Sequence, residues 1–177
     1  RLAAERCENP SFAETIGFGL ILLSDYDRAI QLLQRVGNSV NGTNRYLLGL
    51  AYSLKGMEKE AHLTWETGAA FVEKQLAGVP SSLTPLMLAS LALIKGALGD
   101  YDSAFEAIQT GEAVELVKPE EKAILRAVYG ILHAQQGKAS EAVEALRNSR
   151  SKYYTSKEAI LYPRLKGIAN TPEFQAY

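Results

Sequence analysis

Four times along the chain, a small residue is followed seven positions later by a turn-forming residue, five later by an alanine and four later by a large apolar residue. The sets are Gly17, Ser24, Ala29 and Leu33; Gly49, Gly56, Ala61 and Trp65; Ala92, Gly99, Ala104 and Ile108; and Gly130, Gly137, Ala142 and Leu146. Each slot has a physical role in a pair of antiparallel helices. The small residue lets one helix cross close to its partner, a turn glycine can take the positive φ that ends the first helix, and the alanine fits the closest point of the second. The large residue one turn further on fills the gap between units.

Counted from Gly17 to Gly49, Gly49 to Ala92 and Ala92 to Gly130, the units begin 32, 43 and 38 residues apart, so the array is irregular. Hydrophobic periodicity places paired helices near 12–23 and 26–36, 43–55 and 58–76, 84–98 and 101–116, and 120–136 and 139–150. Asp25 and Asp100 precede second helices as N-caps, and Pro119 suits a first helical turn. Pro80, Ser81, Ser82 and Pro85 mark a break, which reads as a loop because the same pattern resumes beyond it. The expected organisation is a single domain over 1–177, with repeats at about 10–41, 42–78, 82–118 and 119–150 and a capping tail at 151–177.

The second unit carries the fullest pattern. Its Leu48, Gly49, Tyr52, Ala61 and Trp65 resemble the tetratricopeptide repeat, and Gly99-Asp100-Tyr101 with Ala104 is a second fragment of the same kind. The resemblance covers residues 10 to 150. It implies an all-α fold, a right-handed superhelix (α-solenoid) of about four antiparallel helix pairs with a C-terminal capping helix. The third unit departs from the family with Ala92 in the glycine slot and Lys95 in the tyrosine slot. The fourth has His133 in the tyrosine slot, and the family's closing proline is absent after Trp65. Other short helical-repeat families with similar pair geometry stay open as an alternative.

Beyond Arg150 the pattern stops, and an array needs an end piece to cover its last apolar face. Tyr162-Pro163-Arg164-Leu165 and Thr171-Pro172-Glu173-Phe174 resemble the tail that closes tetratricopeptide regions in some bacterial signalling proteins, including transmembrane winged-helix transcriptional regulators, adenylate cyclases and kinases. Tyr162 and Thr171 stand where that tail has aspartates. With no methionine at Arg1, the chain reads as cut from a longer protein or as having lost a leader. With the resemblance, the expectation is a soluble domain, cytoplasmic or periplasmic, of a longer bacterial protein. Membrane insertion is not expected, since the longest strongly apolar run, Ile16 to Leu23, is too short to cross a bilayer.

A search for chemistry returns near-misses. His62 and His133 are far apart in sequence, and no HExxH, cysteine pair or carboxylate cluster has metal-ligand spacing. Gly17-Phe18-Gly19 lacks the third glycine of a dinucleotide fingerprint, and Gly137-Lys138 lacks the upstream glycine of a phosphate loop. Cys7, the chain's one cysteine, has no evident histidine and acid beside it. No catalytic, cofactor-binding or metal site is expected, and the chain does not read as an enzyme. A net charge of -1 provides no general attraction to nucleic acid or anionic membrane. The basic tail residues Arg147, Arg150, Lys152, Lys157, Arg164 and Lys166, beside Tyr153, Tyr154 and Tyr162, are interrupted by Glu158 and read as a solvated face, so direct nucleic-acid binding is not expected.

What remains is the concave surface that the resemblance implies, where family members hold an extended peptide or a partner helix. The residues just after each small slot are Phe18, Leu50, Leu93 and Ile131, all large and apolar, with Tyr46 one turn before Leu50. The basic and asparagine constellation that grips a terminal carboxylate in chaperone-associated members is absent from this row. The expected function is a non-catalytic protein-interaction or sensor module that binds a protein or peptide partner through Phe18, Tyr46, Leu50, Leu93 and Ile131. The competing expectation is that this row is partly buried between the first helices or covered by the tail. A structural module that pairs with itself as a homodimer is the alternative function.

Overall fold

Each of the four spacings folds as a helix, a turn and a second helix. The computed structural model describes residues 10–37, 42–78, 84–115, 117–149, 165 and 167–176, and their regular structure is helical. The helices group into two compact units, Arg1–Gly78 and Val79–Tyr177. The boundary falls at the proline- and serine-rich break, which the repeat pattern alone reads as a loop within one domain. Pro85 itself is buried as the second residue of a helix.

The first unit contains α1 (Pro10–Leu22), α2 (Tyr26–Val36), α3 (Thr43–Leu54) and α4 (Glu58–Leu76). α1 packs on α2 and α3, α2 on α3, and α3 on α4. The second contains α5 (Thr84–Ala97), α6 (Tyr101–Glu112), α7 (Pro119–Gln135), α8 (Ala139–Asn148) and the short α9 (Pro172–Gln175). There α5 packs on α6 and α7, α6 on α7, α7 on α8, and α9 on α8.

The slots behave as their chemistry requires. Ala29, Ala61, Ala104 and Ala142 are all fully buried, and Leu33, Trp65, Ile108 and Leu146 are buried beside them. A Cβ at Gly17 would lie 2.7 Å from Leu33 Cδ2, one at Gly130 would lie 2.9 Å from Leu146 Cγ, and one at Gly49 would collide with the Trp65 indole. Thus in the first, second and fourth pairs the glycine and the large residue sixteen positions later form one contact. At the turns, Ser24, Gly56, Gly99 and Gly137 all have positive φ, of 61°, 83°, 83° and 74°. Glycine carries no Cβ penalty there, whereas Ser24 holds a backbone shape that costs an L side chain roughly 1 kcal/mol.

Helix ends follow local chemistry. Asp100 caps α6, accepting a hydrogen bond from Ser103 N at 3.3 Å. Asp25, expected to do the same for α2, makes no cap bond, and its carboxylate instead pairs with Arg28 at 3.1 Å. Pro119 occupies the first turn of α7, and the buried Glu121 carboxylate accepts the Lys118 N–H at 2.9 Å. α6 ends at Glu112 rather than near 116: Gly111 weakens its last turn, and Glu112 places negative charge at the negative end of the helix dipole. Asn44 is buried, its amide nitrogen donating to the carbonyls of Leu33, at 3.0 Å, and of Gly37, which ties the end of α2 to the start of α3.

The described part of the tail buries Leu165, Ile168 and Phe174, with α9 lying against α8. Thr171 starts α9 by accepting the Phe174 N–H at 3.4 Å. Cys7 and the basic, tyrosine-bearing stretch from 150 to 164, with Lys166, lie outside the described residues. Among the described residues, no helix is long and apolar enough to cross a membrane.

Candidate functional site

The expected partner-binding row is mostly enclosed. Tyr46 and Leu50 on α3, Leu93 on α5 and Ile131 on α7 are buried, and Phe18 on α1 is half-buried. These side chains already have packing partners, so as the chain stands they offer little surface to a ligand.

A cleft of about 630 Å³ lies instead in the second unit, between α6, α7 and α8. α7 supplies Arg126, Tyr129 and His133, at spacings of three and four that place them on one helical face. α8 supplies Glu141, Glu144, Ala145 and Asn148 by the same periodicity, and Glu112 comes from the last turn of α6. The rim residues Glu112, Arg126, Glu141 and Glu144 are exposed, and Arg126 Nε lies 3.6 Å from Glu112 Oε1.

Aromatic packing builds the inner wall. Phe105 of α6 meets Tyr129 edge-on, with ring centroids 5.2 Å apart, and lies 4.9 Å from the His133 ring. Tyr129 stands edge-on to His133 at 4.5 Å. His133 is 8% exposed, whereas Tyr129 is 36% exposed and forms the outer layer of the cluster. Neither His133 Nδ1 nor Nε2 has a hydrogen-bond partner among the described residues. Burial holds the imidazole below its usual pKa; the positive charge of Lys138 acts in the same direction, and the carboxylate of Glu141 opposes both. The ring is therefore neutral at neutral pH, with one N–H to donate and one lone pair to offer.

The sequence reading places His133 in a tyrosine packing slot, and it does pack against rings, but Tyr129, Phe105 and the three glutamates were not anticipated. The available signal was the coincidence of periodicities: Arg126, Tyr129 and His133 share one face of α7, and Glu141, Glu144 and Asn148 share one face of the helix paired with it. His62, by contrast, is exposed and lies 3.5 Å from Glu66 one turn along α4. Among the described residues, no group of three His, Cys, Asp or Glu side chains is placed to hold a metal ion. The chain matches no protein-family model, no curated protein and no solved structure.

Proposed function

We propose that the chain is a non-catalytic binding module built from tetratricopeptide-like helix pairs, and that a protein or peptide partner is held in the cleft between α6, α7 and α8. The observation that carries this reading is the buried, unsatisfied His133 imidazole that backs the wall of a cleft of about 630 Å³. Burying a polar group without a hydrogen bond costs about 1–3 kcal/mol, a cost that a ligand supplying the missing partner recovers. The volume lies within the usual range for ligand sites. The close approach of Gly17 to Leu33, Gly49 to Trp65 and Gly130 to Leu146, each sixteen positions apart, supports the repeat reading, and the buried tail supports a capping role like that in signalling proteins with such arrays.

A photo-cross-linking amino acid at Asn148, in the cleft, and another at Leu63, exposed on α4, test the assignment in host extract. A single adduct at 148 that is absent at 63 is the expected result. Equal labelling from both positions removes the cleft assignment. A cross-link between two copies of the chain, with a dimer seen by light scattering, favours the self-pairing module instead.

A further inference from the structure

We propose that the cleft between α6, α7 and α8 recognises an arginine or lysine side chain presented on a peptide, with Glu141 and Glu144 as the charge partners, Tyr129 as the surface on which it lies and the buried His133 imidazole behind that ring as its hydrogen-bond partner. This rests on the binding-module reading and adds the chemical class of the ligand.

Charge sets the sign. Three carboxylates, Glu112, Glu141 and Glu144, line the cleft against one guanidinium, that of Arg126. Arg126 is already engaged with Glu112, so the excess negative charge lies on the α8 wall. An anionic ligand at Arg126 would meet three carboxylates, whereas a cation is attracted by them, with Lys138 beside His133 as the opposing charge. The Tyr129 ring adds a π-face on which an ammonium or guanidinium gains further attraction.

His133 makes the choice narrower. Its neutral ring needs one donor and one acceptor from outside. A cationic N–H group supplies the donor, which excludes a fully methylated ammonium as an equal ligand. A peptide carbonyl next to the basic side chain supplies the acceptor, which a simple amine lacks. Because the imidazole nitrogens lie beneath the surface, the half-exposed Tyr129 ring is the side chain that shifts to admit the ligand.

Three blocked tripeptides distinguish the possibilities: acetyl-Ala-Arg-Ala-amide, its neutral citrulline counterpart and acetyl-Ala-Glu-Ala-amide. The chain has two histidines, so imidazole resonances in NMR spectra report on the cleft through His133 and on a control surface through His62. The arginine peptide is expected to shift His133 saturably while His62 stays still, and the citrulline peptide to bind about tenfold more weakly. The exposed pair Glu141→Gln and Glu144→Gln should weaken arginine-peptide binding by about fivefold, with helicity unchanged. His133→Phe retains the ring packing and should also weaken it.

Equal binding of arginine and citrulline peptides, or wild-type affinity in the glutamine double variant, overturns the inference. Saturable binding of the glutamate peptide alone overturns the cation assignment while leaving the cleft as a ligand site. If none of the peptides moves His133, the inference falls, and the cross-linking at Asn148 judges the cleft reading separately.

Discussion

The Trp65 indole occupies the space that a side chain at Gly49 would need, and its Nε1 donates a hydrogen bond to the Tyr46 carbonyl at 3.2 Å. One contact thus joins the two helices of a pair by shape and by polarity. Gly49→Ala pushes a methyl group into that ring and should destabilise the protein by about 2 kcal/mol. As Trp65 is the only tryptophan, its fluorescence reports the displacement directly. A variant with wild-type melting and an unshifted emission maximum would show that the indole moves aside without cost.

The turn slot gives a prediction of opposite sign. Ser24 has φ of 61° where the other three turns have glycine. Ser24→Gly relieves this strain but gains freedom in the unfolded chain, so its net effect should be stabilisation of at most about 1 kcal/mol. Gly56→Ala, Gly99→Ala and Gly137→Ala place a Cβ on positive-φ backbone and should each cost about 1 kcal/mol. Urea melts of the four variants check the sign, and destabilisation by Ser24→Gly would mean that the Tyr26 hydroxyl's bond to Ser24 Oγ, at 3.3 Å, outweighs the strain.

His133 links stability to pH. Its folded-state pKa lies below the ordinary 6.5, so between the two values the unfolded chain binds more protons than the folded one. Stability is therefore fully present above about pH 6.5 and is lost as pH falls through the folded pKa. Glu112, Glu141 and Glu144 line the same cleft, with Lys138 nearby. His133→Phe should flatten the slope between pH 6.5 and 5 and, by removing unsatisfied buried nitrogens, raise stability at pH 7 by about 1 kcal/mol. A slope identical to wild type would place the proton uptake on another group.

The tail makes a separable contribution. Phe174 is 8% exposed in the helix that lies against α8. Phe174→Ala should cost about 3 kcal/mol in urea unfolding and loosen the last pair first, seen as faster amide exchange in α8 than in α7. Uniform exchange and unchanged stability would make the tail an appendage.

The helix pairs were legible because the information is local: small residue, turn, alanine and large residue fix one hairpin without reference to the rest. Ser24, a non-glycine in the turn slot, takes the same positive φ as the turn glycines. The cleft was less legible because it needs three helices in register, and the glutamates of α8 acquire their role only when α7 sets Tyr129 and His133 opposite them. The enclosed row shows the converse limit. Spacing puts Tyr46 and Leu50 on one helical face, but whether that face meets solvent or other side chains depends on packing that periodicity does not encode.

That distinction is testable at Leu50. With the side chain 1% exposed, Leu50→Glu buries a carboxylate with no partner designed for it. The choices open to the protein are to keep the group neutral, with a strongly raised pKa, or to open the helix pair around it, and either costs several kcal/mol. The expected outcome is loss of cooperative unfolding at pH 7 with partial recovery toward pH 4, where the introduced acid is protonated. Leu50→Met, which preserves volume, should stay within about 1.5 kcal/mol of wild type and separates charge from shape. Circular dichroism melts at both pH values make the comparison. If Leu50→Glu folds as well as wild type at pH 7, the residue reaches solvent in the working protein, and the apolar row returns as a surface for a partner.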